Sequence, residues 1–151
     1  MPKLSAGLLL YRTGTAGLEV LIAHPGGPFW ARKDDAAWSI PKGEYEIGDD
    51  PWETAQREFT EELGITPPEG TRLDLGEVRQ SGKIVTVFAV GADLDVTDTR
   101  SNTFEMEWPP KSGRTQTFPE VDRVAWVSLD VARVKLLKGQ LPILDRLLGA
   151  L

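Results

Sequence analysis

Apolar positions in the first quarter of the chain come in short runs split by turn residues. Leu4 to Tyr11 and Leu18 to Ala23 flank Thr13-Gly14-Thr15-Ala16-Gly17, a spacing that predicts two strands joined by a glycine-bearing turn. His24-Pro25-Gly26-Gly27-Pro28 and the stretch from Phe29 to Asp35 carry strong breakers and no period, so a loop is predicted there. Trp38-Ser39-Ile40, just before Pro41, reads as a brief strand. The pattern then changes period. Trp52, Ala55, Phe59 and Leu63 recur at spacings of three and four, behind Asp50 as N-cap, Pro51 at the first helical position and Glu53 three residues past the cap. Gly64 supplies the stop, which predicts a helix over 51–63.

Beyond the helix, Leu73 to Val78 and Ile84 to Val90 predict two more strands around Ser81-Gly82-Lys83. Residues 91–118 form a long connection rich in Asp, Thr, Pro and Gly, with Thr103 to Trp108 as an edge strand inside it. Val121 to Val127 is predicted as the last strand, and Leu129 to Leu137 and Leu141 to Leu151 as two closing helices. Leu141, Leu144, Leu148 and Leu151 fall at helical spacing, which suits docking onto the same domain or a dimer contact, so monomer and homodimer both stand. No internal repeat, low-complexity tract or linker interrupts the chain, so residues 1–151 are read as one mixed α/β domain.

Composition narrows the function more than the fold. Seventeen Lys and Arg against 23 Asp and Glu leave a net charge of −6, a sign that repels a nucleic-acid backbone and disfavours a polymer partner. It leaves open a small phosphorylated substrate, because a bound cation reverses the local field. No apolar run approaches the roughly 20 residues of a membrane span. The N-terminal run is too short for a secretory signal and lacks a small-residue cleavage site. The absence of cysteine rules out disulfides, thiolate metal sites and a thiol nucleophile, and makes the cytoplasm the expected location. A single histidine, His24, excludes multi-histidine zinc sites.

The chemistry concentrates on one face of the predicted helix. At about 100° per residue, Glu58 and Glu62 point nearly the same way and Glu61 lies about 60° from Glu58. All three acids flank the apolar stripe. Like charges at these spacings oppose the helix by a few tenths of a kcal/mol per pair, and the C-terminal end of the macrodipole is unfavourable to anions. A divalent cation taking oxygen ligands offsets both costs; Mg²⁺ combines a few carboxylates with waters and substrate phosphates. Without such a cation the three acids are a solvated face partly neutralised by Arg57.

The frame around these acids resembles the Nudix box, G-x5-E-x7-R-E-U-x-E-E-x-G-U with U a bulky aliphatic residue. Gly43, Arg57, Glu58, Glu61, Glu62, Gly64 and Ile65 match it position for position. Six fixed residue types at about 7% usage each coincide by chance on the order of 10⁻⁷ per starting position. Two positions depart: Asp49 stands where the family has Glu, and Phe59 where it has an aliphatic residue. The lead-in Trp38-Ser39-Ile40-Pro41-Lys42-Gly43 and the order of elements are similar to the family's α/β/α sandwich. The resemblance implies Mg²⁺ or Mn²⁺ as cofactor, held by Glu58, Glu61 and Glu62 with a backbone carbonyl near Lys42–Gly43 assisting, and Arg57 orienting the carboxylates. It also implies water attack at phosphorus on a nucleoside diphosphate-linked substrate. Shortening the acid at position 49 puts its pairing in question, whereas Phe59 implies only a packing adjustment.

Outside the box, Glu120 stands six residues before Trp126, similar to the acid-then-Trp pattern of the diadenosine-tetraphosphate-hydrolase-like branch. Glu61 or Glu120 is the expected water-activating base, with Glu105 and Glu107 as further candidates. Lys42, pinned between Pro41 and Gly43, and Arg32 are candidate phosphate contacts, and Trp30 a candidate stacking surface for a base. His24 is expected to be a strand-end residue in a rigid turn, since His24–Pro28 lacks the Gly-Lys-Ser/Thr end of a phosphate-binding loop. The lead-in and Glu120 favour a nucleoside triphosphate or dinucleoside polyphosphate. An ADP-ribose or nucleotide-sugar pyrophosphatase is the alternative, although Arg79–Lys83 lacks the proline associated with ADP-ribose hydrolases. A non-catalytic nucleotide-binding module on the same fold is the rival class; its hallmark is loss of box acids, towards which Asp49 is the one mild step.

Overall fold

The computed structural model describes residues 2–151. Its centre is strand β1 (Lys3–Gly14), whose Leu8, Leu9 and Leu10 are all fully buried. Successive side chains on a strand point to opposite faces, so an unbroken apolar run requires cover on both. The structure supplies it. Ala6, Leu8 and Leu10 pack with Leu21, Phe88 and Val90 against Ala55, Phe59 and Leu63 of helix α1 (Pro51–Leu63). Leu9, with Val20, Ile22, Val85, Val87 and Ala89, packs on the other side against Ala132 of α2 (Leu129–Lys135) and Ile143, Leu144 and Leu147 of α3 (Pro142–Ala150). The result is the expected α/β/α sandwich.

The sheet is mixed. Strands β4 (Arg72–Gln80), β5 (Lys83–Gly91), β1, β2 (Gly17–Pro25) and β8 (Val121–Ser128) run in the order β4-β5-β1-β2-β8, with β1 and β5 parallel and the other pairs antiparallel. One further strand, β3 (Lys42–Tyr45), pairs with the first half of β1 at Leu4–Gly7, while β2 pairs with its second half at Tyr11–Gly14. The edge of β1 therefore changes partner midway. Because β2 and β3 diverge from there, the sheet opens a notch beside α1.

The structure departs from the predicted elements in three regions. The brief strand expected at Trp38–Ile40 is replaced by two isolated bridges, Ala23 with Ser39 and Trp38 with Leu136, and the true strand begins at Lys42. The connection over 91–118 contains the edge strand β6 (Thr103–Glu107) as expected, and also β7 (Thr115–Pro119), which pairs with it as a separate two-stranded ribbon. The first closing helix stops at Lys135, and the second begins at Pro142, after a 3₁₀ turn over Lys138–Gln140. No helix among the described residues is long and apolar enough to cross a membrane.

Candidate active site

Helix α1 starts and stops where its sequence dictates. The Asp50 carboxylate accepts a hydrogen bond from the Trp52 backbone N–H at 3.0 Å, Pro51 occupies the first turn, and Gly64 closes the C-terminus in the left-handed conformation (φ 71°). The backbone N–H of Arg100 bonds to the Leu63 carbonyl and that of Asn102 to the Glu61 carbonyl, so a distant loop completes the cap. With Phe59 and Leu63 buried against the sheet, Glu58 and Glu62 are turned towards the notch beside β3.

The notch is a cleft of about 340 Å³ lined by Glu58, Glu62, Lys42, Gly43, Glu120 and Lys83, with Ser5 at its floor. Gly43 lies so close to α1 that an added Cβ would occupy the position of the Glu58 carboxylate. Only a glycine lets the strand and the acid share this space, which explains why the frame begins there. Burial raises the pKa of Glu62 to about 8, with Glu58 and Glu120 adding to the rise and the Lys42 charge and backbone N–H opposing it. Burial likewise raises Glu58, reinforced by Glu61 and opposed by Arg57. Lys42 shifts the other way: burial, then the neighbouring Lys83 ammonium, lowers it. Like charges and desolvation are thus built into a small volume, a pattern typical of functional sites.

Arg57 lies between two of the acids, its guanidinium 3.5 Å from Glu58 and 3.8 Å from Glu61. The resemblance implies an orienting role for Arg57, and the structure places it beside both carboxylates. Asp49 does not engage this arginine; its carboxylate accepts the Glu46 backbone N–H at 3.1 Å and closes the loop ahead of α1. Glu61 is the outermost of the three, its side chain 41% exposed against 18% for Glu58, and it does not line the cleft. Glu120 does line it, although 58 residues separate Glu62 from Glu120 in sequence.

Trp30 and Arg32 are not brought to the cleft. Trp30 packs against the core on the α2/α3 side with the Lys33 ammonium 5.0 Å from its ring, and Arg32 is exposed on the same loop. Glu105 and Glu107 are exposed on the ribbon, where Glu107 accepts the Lys111 N–H. His24 is fully buried between Asp122 (2.7 Å) and the Lys33 carbonyl (2.6 Å), the structural part expected of it. Sequence reading missed Ser5 and Lys83. Ser5 carried a faint signal, a hydroxyl between the apolar Leu4 and Ala6, whereas Lys83 looked like an ordinary hairpin residue.

Two features of the cleft bear on a metal. The Ser5 hydroxyl is buried without any hydrogen-bond partner, which is costly unless a ligand or water satisfies it. Among the described residues no three carboxylate or imidazole side chains already converge as a cage. A site supplying two carboxylates, with water and substrate phosphate completing the shell, fits Mg²⁺ rather than an all-protein site. Glu58, Glu62 and the nearby β3 backbone meet that description.

Residues 1–147 match the family model described as NUDIX domain, and the chain belongs to that family. A curated relative, the RNA pyrophosphohydrolase of Rhodospirillum rubrum, is 43% identical over 65 residues, 42% of this chain and 38% of that protein. The chain therefore matches well under half the length of that relative. Among solved structures, an Ap4A hydrolase from C. elegans in a binary complex is similar at a TM-score of 0.60 and 22% identity, covering 97% of this chain and 96% of that one. The NUDIX domain of Shewanella oneidensis NrtR, solved with ADP ribose, gives a TM-score of 0.67 at 16% identity over 99% and 88% of the two chains. At such identities the likeness is one of fold.

Proposed function

We propose that this chain is a divalent-metal-dependent pyrophosphohydrolase that opens a phosphoanhydride bond in a nucleoside diphosphate-linked compound. The observation that carries the reading is the meeting of Glu58, Glu62 and Glu120 with Lys42 and Lys83 in one cleft. The pyrophosphohydrolase and hydrolase activities named for its relatives point the same way. A nucleoside triphosphate or dinucleoside polyphosphate is the favoured substrate.

Glu58 and Glu62 would hold Mg²⁺ or Mn²⁺, with Glu61 as a third acid on the outer side and Arg57 fixing Glu58 and Glu61 from between them. An ion held by these residues would supply charge neutralisation at phosphate oxygens and a more acidic attacking water. Lys42 and Lys83 face the same space and meet the negative charge of the phosphate chain. The Ser5 hydroxyl, lacking a protein acceptor, is free to donate to a phosphate oxygen. Glu120 stands at the rim without an ion pair among the described residues, so its carboxylate is the group available to take the proton from water.

The test is a phosphate- and pyrophosphate-release screen over nucleoside triphosphates, dinucleoside polyphosphates, ADP-ribose and nucleotide sugars with Mg²⁺ and Mn²⁺. Glu62→Gln and Glu120→Gln are each expected to lower turnover by at least about 100-fold while the protein stays folded. Full activity in both variants removes the proposal. Tight nucleotide binding with no turnover of any of these compounds places the chain with the binding modules instead.

A further inference from the structure

The one histidine of the chain sits directly behind the rim of the cleft. On β2 its neighbours Ala23 and Pro25 line the cleft, while His24 points to the opposite face. There it is fully buried, its ring edge-on to Trp38 with centroids 5.3 Å apart at 66°. Strand β8 begins alongside, with Glu120 and Val121 on the cleft. The ladder between the two strands skips one residue at this point. Arg123 pairs with His24 and Val121 with Pro25, which leaves Asp122 as a bulge. Bulges re-aim a side chain, and here the Asp122 carboxylate is turned onto the imidazole.

Both ring nitrogens face acceptors. Nε2 lies 2.6 Å from the Lys33 carbonyl oxygen, which has no hydrogen to give, so Nε2 carries one. Nδ1 lies 2.7 Å from Asp122 Oδ1. A bare Nδ1 and an ionised carboxylate at that distance would set lone pair against lone pair, so a proton lies between them. The Arg123 guanidinium stands 3.6 Å from the same carboxylate oxygen and favours the negative charge there, which leaves the proton on the ring. Among the described residues the other nearby charges are engaged elsewhere. The Lys33 ammonium lies over the Trp30 ring, and Asp34 accepts the Trp38 indole N–H and pairs with Lys135 of α2. An imidazolium satisfies both contacts; neither neutral tautomer does.

What the ring ties together bears on Glu120. Asp122 follows it by two residues, at the start of β8. Lys33 belongs to the loop after β2, whose Gly26 N–H donates to the Glu120 carbonyl at 2.9 Å. The Glu120 N–H donates to the Asn102 carbonyl, and the Asn102 N–H to the Glu61 carbonyl at the end of α1. The backbone of Glu120 is thus strung between the loop after β2 and the acidic helix, and His24 fastens the first of these anchors to β8. Loosening that fastening lets Glu120 drift relative to Glu58 and Glu62.

We propose that His24 is a positioning residue for Glu120: a buried imidazolium, bonded to Asp122 and to the Lys33 carbonyl, that clamps the loop after β2 to the start of β8. The catalytic part of this role rests on the function proposed above; the clamp itself does not. Because the chain has a single histidine, its ring signals in ¹⁵N-labelled whole protein need no assignment. At pH 7 both ring nitrogens are expected to carry slowly exchanging hydrogens, and a bare Nδ1 overturns the proposal. Two variants at the partly exposed Asp122 then test the clamp. Asp122→Ala removes the acceptor. Asp122→Asn keeps both contacts, its amide donating to a bare Nδ1 while Nε2–H still meets Lys33. Amide exchange at Gly26 and Glu120 should be about tenfold faster in Asp122→Ala and close to wild type in Asp122→Asn, with the core amides of Leu9 and Val87 unchanged in both. Unchanged exchange at Gly26 in Asp122→Ala, or faster exchange throughout the core, overturns the proposal. With Mg²⁺ and diadenosine tetraphosphate, Asp122→Ala should lower kcat about tenfold with KM little altered, and Asp122→Asn should restore most of it. A fall confined to KM overturns the positioning role. Absence of hydrolysis by the wild type on every compound of the release screen overturns the enzymatic reading instead, and the ring and exchange results still decide the clamp.

Discussion

Glu62 illustrates how far one residue's environment can depart from what its spacing suggests. Helical geometry put it beside Glu58, as the structure does, but the cleft it lines with Lys42 and Gly43 depends on a strand that the sequence did not announce. Its carboxyl titrates near 8 when folded and near 4.5 when unfolded. Below about pH 4.5 it is neutral in both states and costs nothing. Between these values the folded chain keeps a proton that the unfolded chain has released, so rising pH favours unfolding. In EDTA, Glu62→Gln should therefore raise Tm at pH 8 by at least about 3 °C, the shift roughly 1 kcal/mol produces in a chain of this size, and should have little effect at pH 4.5. Equal shifts at both pH values would mean that the gain comes from packing. Gly43→Ala should act in the opposite sense at every pH, because its Cβ has no space beside Glu58. Asp49 shows the limit of reading by position. A carboxylate one methylene shorter than the family's Glu serves its own loop and leaves Arg57 to Glu58 and Glu61.

Elements were legible where a single period or cap decided them. Helix α1 was predicted at its true bounds because Asp50, Pro51 and Gly64 each act locally. Asp50→Ala removes the hydrogen bond to Trp52 N–H and should cost about 1 kcal/mol, lowering Tm by roughly 3 °C, with Asp50→Asn close to wild type. A loss as large in Asp50→Asn would show that charge at the helix start, rather than the cap, is what matters. The strands that were missed have no such local cause. Lys42–Tyr45 is half polar, and it is extended because β1 offers it four paired positions. Thr115–Pro119 carries one apolar aromatic among polar residues, and its partner β6 supplies the register. Trp38–Ile40 has the apolar alternation of a strand yet finds only isolated bridges, because Trp38 and Ile40 are drawn into the core facing α2 and α3. Pairing, not propensity, settles such segments.

At the scale of the whole molecule, the site is a product of topology. The acids of α1 were visible together, but Lys83 and Ser5 reach them only because β1 and β5 lie parallel, and Glu120 because β8 pairs with β2. The same assembly forces desolvated carboxylates together, and on the function proposed above a cation held there would couple its binding to folding. A cation that binds only the folded chain stabilises it by about 2.7 kcal/mol at 100 times its dissociation constant, roughly 7 °C in Tm. If Glu58 and Glu62 hold that ion, its need for ionised ligands means its binding would release the protons they keep above the ordinary range. The Tm increase produced by millimolar Mg²⁺ should therefore be larger at pH 8 than at pH 5.5, with sodium at matched ionic strength giving neither the size nor the pH trend. The double variant Glu58→Gln/Glu62→Gln should lose the Mg²⁺ response at both pH values. A response of wild-type size in that variant would place the ion elsewhere on this acidic surface, and the strain concentrated in the cleft would then have to serve the substrate alone.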